Sequence, residues 1–77
     1  MIKGDFELFI LSPYDREKLV CEIRYQGEIF AEVSQETEEL LIDIFVLESG
    51  KEWQFSLSQL QEVLNDAKVF LAGVTSK

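Results

Sequence analysis

Residues 19–55 read LVCEIRYQGEIFAEVSQETEELLIDIFVLESGKEWQF, with apolar residues at alternate positions and polar breaks dividing the run into four strands. Alternation of this kind fixes register, because a slip of one residue carries a whole apolar set to the other face. In the first hairpin, a two-residue turn at Gln26-Gly27 would pair Ile23 with Phe30 and Arg24 with Ile29, mixing the faces. A three-residue loop, Tyr25-Gln26-Gly27, instead pairs Ile23 with Ile29, Cys21 with Ala31 and Leu19 with Val33. It leaves Arg24 facing Glu28 and puts glycine at the left-handed position. A four-residue loop over 36–39 then opposes Val33 to Ile42, Ala31 to Ile44 and Ile29 to Val46. Finally, a two-residue turn at Ser49-Gly50 sets Val46 against Trp53 and Ile44 against Phe55, with Glu48 beside Lys51.

Working outward, FELFIL at 6–11 reads as a first strand with Phe6, Leu8 and Ile10 on one face, and SPYDREK, the most basic stretch, as the loop that follows. Ser56 opens SLSQ, a capping-box pattern repeated at Ser58 and Gln61. Beyond it Leu57, Leu60, Leu64, Ala67 and Leu71 form one helical stripe flanked by Val63 and Phe70, and Gly73 supplies the stop before a frayed tail at 74–77. The expected fold is α+β: a single domain over 1–77 with an antiparallel meander of four to five strands (6–11, 18–25, 28–35, 40–48 and 51–55). One C-terminal α-helix (57–72) packs on one face of that meander.

A chain of 77 residues with 47% apolar content supports one core and buries only about 60% of its unfolded surface. Fifteen acidic against seven basic residues give a net charge of −8, opposite to the basic footprint of a nucleic-acid binder. Apolar runs no longer than about four residues leave no membrane span or signal peptide to expect, and a single cysteine, Cys21, suits a reducing cytoplasm. With no histidine and one cysteine, the usual nucleophilic triads and zinc sites are closed, and the four dispersed glycines form no phosphate loop. The expectation is a non-enzyme with no cofactor.

Candidate site residues come from the charge pattern. Between Tyr25 and Gly50 there is no Lys or Arg but there are seven acids: Glu28, Glu32, Glu36, Glu38, Glu39, Asp43 and Glu48. Glu32 and Asp43 fall opposite each other on the outer face. Such a pair can serve as acid and base, but an open sheet face offers no pocket to exclude water. The cluster at 36–39 lacks calcium-loop spacing and reads as a solvated turn. The same register puts Phe30 opposite Phe45 among the carboxylates, with Leu41 and Leu47 nearby, unless a neighbouring subunit or the first strand covers them. The expected partner-binding set is therefore Glu28, Phe30, Glu32, Glu36, Glu38, Glu39, Asp43 and Phe45, a face suited to a basic protein.

The segment EIRYQGEIFAEVSQE, the later G-K-x-W-x-F and the C-terminal LxxAKxFL together resemble small immunity proteins of bacterial contact-dependent growth-inhibition and related polymorphic toxin systems, over residues 18–72. That resemblance implies a cytoplasmic protein that binds and blocks the toxic domain of a cognate effector, often a nuclease. It offers no family site to carry over. Two alternatives stay open: a phage-encoded acidic mimic of nucleic acid that inhibits a host nuclease or CRISPR effector, and a homodimer or larger oligomer whose aromatic face pairs with itself.

Overall fold

A computed structural model of the chain describes residues 1–46 and 52–75. Five strands, β1 (Ile2–Lys3), β2 (Phe6–Leu11), β3 (Val20–Tyr25), β4 (Glu28–Ser34) and β5 (Leu41–Ile44), precede a single helix, α1 (Leu57–Thr75). The strands pair in chain order, each antiparallel to the next, and α1 packs on one face against β2 and β3. This is the α+β meander that the alternation demands, although one of its five strands is not the one expected. Residues 52–55 form no strand, and the Ser49-Gly50 turn, Leu47 and the Glu48–Lys51 pair lie outside the described residues. The additional strand is β1, joined to β2 by Gly4-Asp5 with Gly4 at φ +58°, the left-handed first position of a tight hairpin turn. The terminal ammonium of Met1 donates to the Leu8 carbonyl and the Leu8 amide donates to the Met1 carbonyl, while Lys3 reaches Asp66 at 3.1 Å and Glu62 at 3.4 Å on α1. Those carboxylates raise the Lys3 ammonium pKa, Asp66 most strongly.

Segment 52–55 contributes rings instead of a ladder. Phe55 stands 4.6 Å from the ring of Tyr25, 4.8 Å from Phe30 and 5.2 Å from Phe6, and Trp53 stacks on Phe55 at 5.6 Å. A strand beside β5 would hold Trp53 and Phe55 at the sheet's edge. Crossing to the rings of β2, β3 and β4 half-buries them in tilted and edge-to-face contacts, each contributing about 0.5–1.5 kcal/mol beyond the area buried. The Trp53 indole N–H keeps a partner, donating to the Phe45 carbonyl at 2.8 Å.

The first hairpin corrects the expected loop. Its turn has two residues, Gln26 and Gly27, at φ +49° and +85°, both left-handed as a type I′ turn requires. Tyr25 pairs with Glu28 and Arg24 with Ile29; the register then shifts, so that Ile23 meets Ala31 and Cys21 meets Val33. That shift is a β-bulge in which Phe30 is the extra residue of β4. The bulge removes the mixing of faces that argued against the two-residue turn, and both Phe30 and Ala31 turn inward. Beyond it the β4–β5 register is the expected one, with Val33 opposite Ile42 and Ala31 opposite Ile44.

The Ser56 hydroxyl caps α1, accepting from the Gln59 amide at 3.3 Å, so the first of the two capping patterns is the one used. The buried helical stripe is Val63, Ala67 and Leu71, with Leu60, Leu64, Phe70 and Val74 packed beside it, whereas Leu57 is 70% exposed. The helix continues through Gly73 to Thr75. A glycine inside a helix costs about 1 kcal/mol relative to alanine, and the packing of Val74 against the core offsets it. From the sheet, Phe6, Leu8, Cys21, Ile23, Phe30, Ala31 and Val33 complete the core. Burial pushes the Cys21 thiol pKa up to about 11, as expected of a packed hydrophobe rather than a nucleophile.

Candidate functional site

On the outer face, β4 and β5 set Glu32 directly opposite Asp43, as the alternation predicts, and Glu22 of β3 pairs with Glu32 on its other side. Three carboxylates in a row would repel, and two arginines relieve them. The Arg24 guanidinium donates to Glu22 at 2.6 Å while stacking 4.8 Å over the Phe9 ring. Arg16 reaches over from the 12–19 loop, its Nε 3.1 Å from Glu32 Oε1 and its Nη2 3.6 Å from Asp43 Oδ2. Glu32 Oε1 makes no hydrogen bond among the described residues, so its contact with Arg16 is an ion pair off the hydrogen-bond line.

The loop that delivers Arg16 is tied down at its far end. Glu36 accepts from the amides of Glu17 and Lys18, each at 3.0 Å, and the Gln35 side-chain amide donates to the Leu19 carbonyl at 3.0 Å. Such a strap accounts for the burial of Val20 and Ser34, which alternation places on the outer face. Arg16 was missing from the expected site because the contact spans a loop, where periodicity carries no signal. The only trace in the sequence is that the most basic stretch lies next to an acidic block.

The expected site residues therefore divide. Glu28, Glu38 and Glu39 are exposed, with the Glu39 carbonyl accepting from the Thr37 hydroxyl at 2.7 Å; Asp43 is exposed beside Arg16, and Phe45 is exposed. Glu32 is half-buried beneath Arg16, and Glu36 is engaged with the loop. Phe30 does not belong to the set. Its ring is 3% exposed, packed against Phe55, Trp53 and Phe6, because the bulge rotates it into the core.

The structure replaces that lost aromatic with an apolar strip that sequence reasoning had assigned to the interior. Ile42 and Ile44 lie on the inward face by register, and Val46 continues their alternation beyond the strand's end, yet they are 43%, 62% and 92% exposed, because the helix covers β2 and β3 and stops short of β5. Leu40, Leu41 and Phe45 are exposed on the same segment, with Glu38 and Glu39 before it and Asp43 within it, and Glu28 is exposed at the start of the neighbouring β4. A strip of this kind, rimmed by charge, has the composition of a protein-binding surface. No protein-family model, curated relative or solved structure matches the chain. Among the described residues no helix is long and apolar enough to cross a membrane.

Proposed function

We propose that this chain is an immunity-type inhibitor: it binds a basic protein partner, the nuclease domain of a cognate toxin, in the cytoplasm and occludes it. The observation that carries the reading is the exposed apolar strip of β5 set among Glu28, Glu38, Glu39 and Asp43, in a segment, 25–50, without a single Lys or Arg. A nuclease presents a basic cleft for phosphate. An acidic surface steers encounter with such a cleft, and desolvated apolar side chains at its centre supply the slow dissociation. The binding set accordingly exchanges Phe30 for Ile42, Ile44 and Val46 and keeps Phe45, while Glu28, Glu38, Glu39 and Asp43 remain as its acidic rim. The test is to titrate the purified toxin domain encoded beside this chain's gene and follow hydrolysis of its nucleic acid. Activity is expected to vanish at one equivalent of inhibitor; full activity at a large excess would overturn the reading.

A further inference from the structure

The two edges of the sheet are built differently. β1 is two residues long, and its Lys3 is held by two carboxylates of α1. β5 is four residues long, pairs with β4 without a register shift, and carries no lysine or proline. Charge, brevity, proline and bulges are the usual means of keeping an open edge from recruiting another strand, and β5 has only Asp43. Among the described residues no strand pairs on its outer side, so the backbone there is presented for pairing. The Phe45 amide donates to the Phe30 carbonyl at 2.9 Å, and alternation along the strand then turns the amides and carbonyls of Ile42 and Ile44 away from β4.

Resting on the reading above, we infer that the basic partner docks by adding a strand to β5, pairing its backbone with Ile42 and Ile44. The side chains set the chemistry of that strand. Apolar residues on its inward face cover Ile42, Ile44 and Val46, which the helix leaves open. On its outward face a lysine or arginine stands beside Asp43, because the single guanidinium of Arg16 is shared between Asp43 and Glu32 and leaves one negative charge unbalanced. A second copy of this chain would satisfy the apolar half, but two bodies of net charge −8 would meet with Glu38, Glu39 and Asp43 of each at the junction. Like charges brought together in this way disfavour association, so charge selects a basic strand.

The experiment is an NMR titration of the full chain with a capped peptide of about eight residues alternating valine and lysine, an ordinary strand length. Its controls are the same peptide N-methylated at every amide and a valine–glutamate counterpart. At about ten times the Kd of the valine–lysine peptide, exchange of the Ile42 and Ile44 amides should slow about tenfold. The N-methylated and glutamate peptides should not bind, and Ile44→Pro, which removes an outward amide while sparing the bonds to β4, should abolish binding in a chain that stays folded. Equal binding by the N-methylated peptide, or no binding up to about millimolar peptide, would overturn strand addition and leave the basic-partner reading to its own inhibition test. Equal binding by the glutamate peptide would overturn the charge assignment, and with it the basic partner. Protection of Ile42 and Ile44 that rises with protein concentration alone would assign the edge to a second copy and overturn the proposal.

Discussion

Phe30 separates two descriptions of the molecule most sharply. As a surface anchor it could be truncated at little cost to folding; as the bulged residue of β4 it fills the core. Its ring is 3% exposed and stands 4.8 Å from Phe55, 5.3 Å from Trp53 and 6.5 Å from Phe6. Removing a ring so enclosed costs about 3–5 kcal/mol, the lost transfer free energy plus that of the cavity left behind. A chain of 77 residues has a total stability of only about 4–12 kcal/mol, so Phe30→Ala should consume a large share of it. Phe30→Leu keeps most of the volume and loses the edge-to-face contacts, and should cost about 1–2 kcal/mol. Urea unfolding followed by the fluorescence of Trp53, the one tryptophan and itself part of the cluster, measures both. A loss below about 1 kcal/mol for Phe30→Ala would refute the inward bulge and return the ring to the surface.

Arg16→Ala removes the cation shared by Glu32 and Asp43 and should destabilise by about 0.5–1 kcal/mol; adding Asp43→Asn should recover part of the loss in a double-mutant cycle. The glycines should respond with opposite signs. Gly27→Val forces a β-branched residue to φ +85° and should cost more than about 1 kcal/mol, whereas Gly73→Ala, inside the helix with open space at its Cβ, should stabilise by up to about 1 kcal/mol, both read from urea midpoints. The Cys21 pKa is raised in the fold from an ordinary 9.0 to about 11, so the neutral thiol is the form that favours folding. Its contribution is fully present below pH 9 and is lost as pH rises toward 11; the stability difference between wild type and Cys21→Ala should narrow over that window and stay constant below it.

How far the sequence could be read follows from what alternation does and does not encode. It names the residues that share a face, and it set the β4–β5 register and the pairing of Glu32 with Asp43. It does not reveal a bulge, which restores the faces after a turn that would otherwise mix them; the trace left by this one is the apolar triplet Ile29-Phe30-Ala31 interrupting the alternation. Nor does alternation say what covers a face. One helix over β2 and β3 leaves Ile42 and Ile44 in solvent, although their pattern is that of core residues. Arg16 and β1 escaped for a shared reason: each is placed by contacts outside its own segment, Arg16 by carboxylates on β4 and β5, and Lys3 by acids on α1. Gly73 reads locally as a stop, yet the packing of Val74 carries the helix past it.

The central claim is that the acidic, apolar edge at β5 binds a basic protein. Stopped-flow association with the cognate toxin domain, at about 0.05 M and about 0.5 M salt, tests it most directly, because exposed charges are felt at the lower concentration and largely screened at the higher. Replacing Glu38, Glu39 and Asp43 together by lysine should slow association about tenfold or more at low salt and flatten its salt dependence. Ile44→Ala should act mainly by raising the dissociation rate. Association rates that are the same for wild type and the charge-reversed chain at both salt concentrations would contradict the account.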